Sequence, residues 1–88
     1  MHAVVVRTTL HDPEAALPFL LGEIVPRVSQ APGFVAAHWV RLAEDKGTSM
    51  LVFDSEEAAR AVADQIVAQP SGAATPDSVD VGEVVAHA

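Results

Sequence analysis

Four histidines, His2, His11, His38 and His87, are the side chains of this 88-residue sequence that titrate near neutrality. His38 stands out because it interrupts an otherwise apolar run, FVAAHWVRL (34–42). A histidine placed there is either a general base that also orients a substrate, or a wall or interface residue satisfied by backbone or water. Arg7 breaks the valines of AVVVRTTL (3–10) in the same way. It either holds an anionic or phenolate substrate, crosses the sheet toward Glu83, or reaches a subunit interface. Trp39 offers a broad apolar surface with one donor, suited to anchoring a dimer or to stacking on a flat aromatic ligand. His38 and Arg7 are therefore the candidate catalytic residues, and Trp39 and Met50 the candidate substrate-binding residues. Arg41, near the end of its run, is expected to pair with Glu44 or Asp45 at the rim.

Other chemistry lacks its residues. There is no cysteine, which removes disulfides, thiolate nucleophiles, iron–sulfur clusters and cysteine-based zinc sites together. The histidines show no HxH, HxxxH or HExxH spacing, no glycine-rich phosphate loop occurs, and no serine sits in a nucleophile elbow. At most, a first-strand and a last-strand histidine meet near Glu83 in a polar cluster. Glu56-Glu57 and Asp77 with Asp80 read as a helix first turn and solvated loop charges. No cofactor is expected: any catalysis is independent of haem, flavin and metal. The net charge of −7, from 5 basic and 12 acidic residues, repels phosphate backbones and anionic lipid, so neither nucleic acid nor membrane is an expected partner. No apolar run approaches the roughly 20 residues of a membrane span, and the first strand lacks the flanks of a secretion signal, so a cytoplasmic protein is expected.

These residues must be positioned by a small set of elements. Residues 3–10 read as a strand, ended by His11. Asp12-Pro13-Glu14 caps and starts a helix, and Leu17, Leu20, Leu21, Ile24 and Val28 extend its apolar stripe to about Ser29 or Gln30. Pro18 and Pro26 must interrupt its hydrogen bonds, which predicts a bend near residues 22–26 or a later start. After the turn Ala31-Pro32-Gly33 come a strand over 34–42, a hairpin AEDKG (43–47) with Gly47 supplying positive φ, and a strand over 48–53. Asp54 and Glu57 have capping-box spacing for a second helix over 55–68. Residues 69–78 read as a mobile loop and 79–88 as a fourth strand.

The order strand, helix, strand, strand, helix, strand makes one α+β domain over residues 1–88, a ferredoxin-like β-α-β-β-α-β plait with a four-stranded antiparallel sheet. Strands one and three are expected in its centre as parallel neighbours. Two helices cover only one sheet face. Yet both faces read as apolar, Phe34, Ala36, His38, Val40 and Leu42 opposing Val35, Ala37, Trp39 and Arg41 in the second strand. A homodimer paired through the open sheet face, or a ligand cavity over the sheet, accounts for that excess.

The order of elements, the segment VPRVSQAPGFVAAHWVRL (25–42) and the junction SMLVFDSEEAARA (49–61) together resemble the dimeric α/β-barrel superfamily, in particular the small antibiotic-biosynthesis-monooxygenase type of domain. The resemblance implies two protomers joined through their sheets, with a pocket between each sheet and its helices or loops. It further implies a cofactor-independent monooxygenase-like protein acting on a small aromatic or polyketide-like substrate. The residues themselves leave open a non-catalytic small-ligand-binding or dimeric assembly domain. Haem-degrading members of the resembled group carry an asparagine near the first strand, a barrel tryptophan and an iron-ligating histidine on the second helix. This chain has no asparagine, and residues 55–68 contain no histidine.

Overall fold

The β-branched run at the start of the chain forms β1 (His2–Leu10), which the computed structural model, describing residues 1–68 and 74–88, sets inside the sheet. It is followed by α1 (Pro13–Phe19), a π-helical turn (Leu20–Ile24), α2 (Val25–Ser29), β2 (Phe34–Arg41), β3 (Lys46–Phe53), α3 (Glu56–Ala68) and β4 (Ala74–Glu83). The strands lie in the order β2-β3-β1-β4, and every neighbouring pair is antiparallel. This is the expected plait, with one correction. β1 and β3 are central neighbours but antiparallel, because the crossover makes β2 parallel to β1 and the hairpin then reverses β3 between them.

The core lies between the sheet and the helices. Val4, Val6, Leu51 and Phe53 from the central strands pack against Val28 of α2 and Ala59, Val62 and Ala63 of α3. Phe53, fully buried, receives Phe34 edge-to-face at 6.1 Å and 77°. That contact depends on a register shift between Phe34 and Ala36, which moves Phe34 from the face of Ala36 and His38 to the face of Ala37 and Trp39. Strict alternation put it on the wrong side.

Local chemistry explains the element ends. Asp12 Oδ1 accepts from the Ala15 amide at 3.2 Å, as its position before Pro13 implies. For α3 the capping side chain is Ser55, whose Oγ accepts from the Ala58 amide at 3.2 Å, rather than Asp54. The Asp54 amide instead donates to the Gly33 carbonyl at 2.8 Å, tying the end of β3 to the turn before β2. Gly33 has φ +80°, and a Cβ there would lie 2.5 Å from Asp54 Oδ1, so both backbone and space demand glycine. In the hairpin the left-handed residue is Glu44, φ 62°, not Gly47, which lies within β3. β4 also begins earlier than expected: residues 74–78, read as loop, pair with β1, while residues 84–88, including His87, lie beyond the strand. The rest of the expected loop, 69–73, lies outside the described residues.

The two prolines of the first helical arm act through the π turn between them. Pro26 has no amide to return to Gly22, and the Val25 amide bonds the Leu20 carbonyl, five residues back. The interruption is thus a widened turn with helical segments on both sides. Val28 fastens the arm to the core, whereas α1 has no buried residue. Among the described residues, no helix is long and apolar enough to cross a membrane.

Candidate functional site: an apolar cleft under the first helical arm

Because α1 stands off the sheet, a cleft of about 340 Å³ opens between them. Its floor is the helix-side face of β1, β2 and β3, with Val6, Leu51, Ser49 and Trp39. Its roof is Leu17, Leu20 and Ile24, and Val62, Gln65 and Ile66 of α3 close one side. Leu17 (57% exposed) and Phe19 (39% exposed) turn toward this cleft, which explains large apolar side chains left uncovered on a helix that ought to bury them. Arg27 and Arg41 also line it, and among the described residues no aspartate or glutamate does.

Trp39 reaches the cleft because β2 alternates after its bulge: Trp39 falls on the helix-covered side, half-buried against the core, and opposite Ser49 in register. Its indole N–H has no hydrogen-bond partner among the described residues. The side chain therefore faces away from the open sheet face, where a dimer anchor would have to be. Arg41, two residues on, shares the side of Trp39. Glu44 and Asp45 do not pair with it, contrary to expectation, and its side chain makes no hydrogen bond or ion pair among the described residues.

The remaining three sequence-derived residues are gathered elsewhere. His38 is directly opposite Met50, and Met50 is directly opposite Val5, so all three project from the open face. Arg7 lies on the same face, between Thr48 and Ser78 in register and exposed; of its three readings, the reach toward Glu83 is not made. Glu83 is opposite His2 instead. The structure thus brings Arg7, His38 and Met50 together and separates them from Trp39. Around them the open face is largely apolar, with Val40 (50% exposed) and Met50 (46% exposed) uncovered.

Two polar groupings escaped sequence inspection. At one end of the sheet the Thr9 hydroxyl donates to Asp77 Oδ2 at 2.6 Å and accepts from Lys46 Nζ at 2.8 Å, and His11 Nε2 meets Thr75 Oγ1 at 2.5 Å. At the other end His2 Nε2 lies 3.4 Å from Glu56 Oε2, while His2 Nδ1 is buried without a partner among the described residues. Arg60 Nε also donates to Glu56 Oε1 at 3.0 Å, and this bond, then its charge, holds the Glu56 carboxyl below its ordinary value of 4.5. The partners are far apart in sequence and no spacing announces them, except the one-turn pair Glu56 and Arg60. Among the described residues no three metal-binding side chains converge.

No protein-family model matches the chain, and no curated protein matches it either. Among solved structures it is similar to a haem-degrader, MhuD from Mycobacterium tuberculosis, with two haems bound in its active site. The two share 24% identity and superpose with a TM-score of 0.55 over 97% of this chain and 98% of that one. At that identity the likeness speaks to architecture: an antiparallel four-stranded sheet with its helices on one face, in the same order. The chain has the ferredoxin-like β-α-β-β-α-β fold of that structure.

Proposed function

We propose that the protein takes up a small aromatic or polyketide-like molecule in the cleft under its first helical arm, as a homodimer paired through the open sheet face. The observation that carries the first half is an apolar cavity of about 340 Å³ with the sole tryptophan of the chain on its floor. That volume lies in the range of small-molecule sites, and an indole face with an unmet N–H suits a flat ring with one acceptor. The second half is supported by uncovered Val40 and Met50 beside Val5 and Val52, on a face that no helix covers.

Monooxygenase-like turnover in the same cleft is the second function supported. An electron-rich ring, once ionised, reduces dioxygen directly: a CH2 group becomes C=O, one oxygen atom enters the product, and the other leaves as water with the two hydrogens. The protein supplies a dry cavity and holds the ring. His38 and Arg7, proposed from the sequence as proton acceptor and substrate holder, face the other side of the sheet. Uptake of an already ionised substrate is therefore favoured over proton removal by His38. Haem, which the structural neighbour binds, does not fit these residues. Its iron is held by histidine, cysteine, methionine or tyrosine, and among the described residues none of these lines the cleft.

The test is titration with a dihydroxyanthrone, reading Trp39 fluorescence and dissolved oxygen together. Saturable quenching at one molecule per protomer is expected; oxygen uptake in step with substrate loss adds turnover, and quenching alone leaves binding. Absence of quenching, with that compound and with neutral naphthylamine dyes, refutes the cleft as a ligand site. Light scattering should give about twice the 9.2 kDa chain mass, and a stable monomer refutes the dimer.

A further inference from the structure

Two of the four arginines in the chain line the cleft, and none of its 12 acidic residues does. This distribution runs against the net charge of −7: the described lining holds two positive side chains and no negative one. The two arginines differ. Arg27 of α2 lies 3.8 Å from Glu23 Oε2 of the π-helical turn, so its charge is answered within the first helical arm. The Arg41 guanidinium has no ion pair or hydrogen bond among the described residues, although Glu44 and Asp45 follow it closely in sequence. Its position is set by the strand: as the last residue of β2 it stands on the side of Trp39, opposite Gly47, which presents no side chain beside it. A guanidinium at the edge of an apolar cleft offers a planar fork of donors that matches an oxyanion.

Given the cleft as a ligand site, we infer that its ligand carries an anionic group, a carboxylate or a phenolate, which Arg41 receives while Trp39 receives the ring. The class of ligand is thereby an aromatic anion rather than any apolar molecule of suitable size. Arg41 acts as the specificity-determining residue. Gln65 and Ser49, also on the cleft wall, supply neutral donors to the same ligand.

Two dyes of one skeleton separate these ideas. 8-Anilinonaphthalene-1-sulfonate carries the anion, and N-phenyl-1-naphthylamine lacks it. Arg41→Gln is expected to weaken the sulfonate dye about ten-fold, the loss of one charge-assisted hydrogen bond, while moving the neutral dye less than about two-fold. Arg41→Lys should restore part of the loss, since it returns charge without the fork. Arg60→Gln, the same charge change on α3 outside the cleft, should alter neither dye. If the neutral dye binds and Arg41→Gln shifts both dyes equally or neither, the anion inference is overturned and the cleft remains a ligand site. If neither dye binds the unmodified protein, it is the cleft itself that is refuted.

Discussion

Replacing Trp39 by alanine removes the largest side chain on the floor of the cleft and distinguishes a ligand wall from a dimer anchor. Truncating a fully buried large aromatic costs about 3–5 kcal/mol. Trp39 is only half-buried and one side of its ring already borders the open cleft, so its removal widens an existing space instead of creating a sealed void. About 2 kcal/mol of stability is the expected loss, which in a domain of this size lowers Tm by about 10 °C. For a ring-shaped ligand the loss is about 1 kcal/mol of stacking plus about 1–2 kcal/mol of buried apolar contact, together a weakening of about 30- to 140-fold. Trp39→Phe keeps a π face and should weaken binding only about five-fold. The assay is fluorescence titration with N-phenyl-1-naphthylamine, at a temperature where circular dichroism shows the variant folded, with sedimentation of the same samples. Because Trp39 is on the helix side of the sheet, association should be unchanged. A folded variant with unaltered dye affinity, or one that binds dye normally but falls apart into monomers, would refute this placement of function.

Four further outcomes are expected. Gly33→Ala should destabilise by about 2 kcal/mol in urea unfolding, since it meets Asp54 Oδ1 at positive φ, whereas Gly22→Ala, with nothing within 4 Å of its Cβ, should stabilise by about 0.5–1 kcal/mol. Met50→Lys on the open face should shift the dimer to monomer in light scattering while leaving dye binding in the cleft intact; an unchanged mass speaks against pairing through that face. The Glu56 carboxyl is held below 4.5, so its contribution to folding is complete above that pH and disappears as the pH falls through the lowered folded value. Arg60→Gln should raise the Glu56 midpoint in a carboxyl-carbon NMR titration, and no movement removes Arg60 as the main cause. Added hemin should give no spectrum of histidine-ligated iron in the cleft, where no histidine reaches; such a band would mean that the cleft residues are misassigned.

The element order was legible in the sequence because it rests on local chemistry: β-branched runs, Asp12 before Pro13, the helical spacing from Leu17 to Val28, and turn residues between strands. The existence of an uncovered apolar sheet face was legible too, since two helices cannot cover both sides of four strands. Element edges were less so. Ser55 and Asp54 are both good capping residues, and only the folded chain shows that Ser55 Oγ accepts from the Ala58 amide while the Asp54 amide donates to the Gly33 carbonyl.

What tertiary structure alone decided is the side on which each candidate side chain acts. His38 and Trp39 are adjacent in sequence, so a strand must send them to opposite faces, but nothing in the sequence says which face the helices cover. The shift at Phe34 to Ala36 adds a residue that breaks simple alternation. Nearness along the chain suggests Glu44 and Asp45 as partners for Arg41 at the rim, whereas the strand direction carries its side chain to the side of Trp39 and away from both. The cleft itself arises from α1 standing off a sheet that α2 and α3 hold, a distance between elements that hydrophobic periodicity, which reports only which side of a helix is apolar, does not contain.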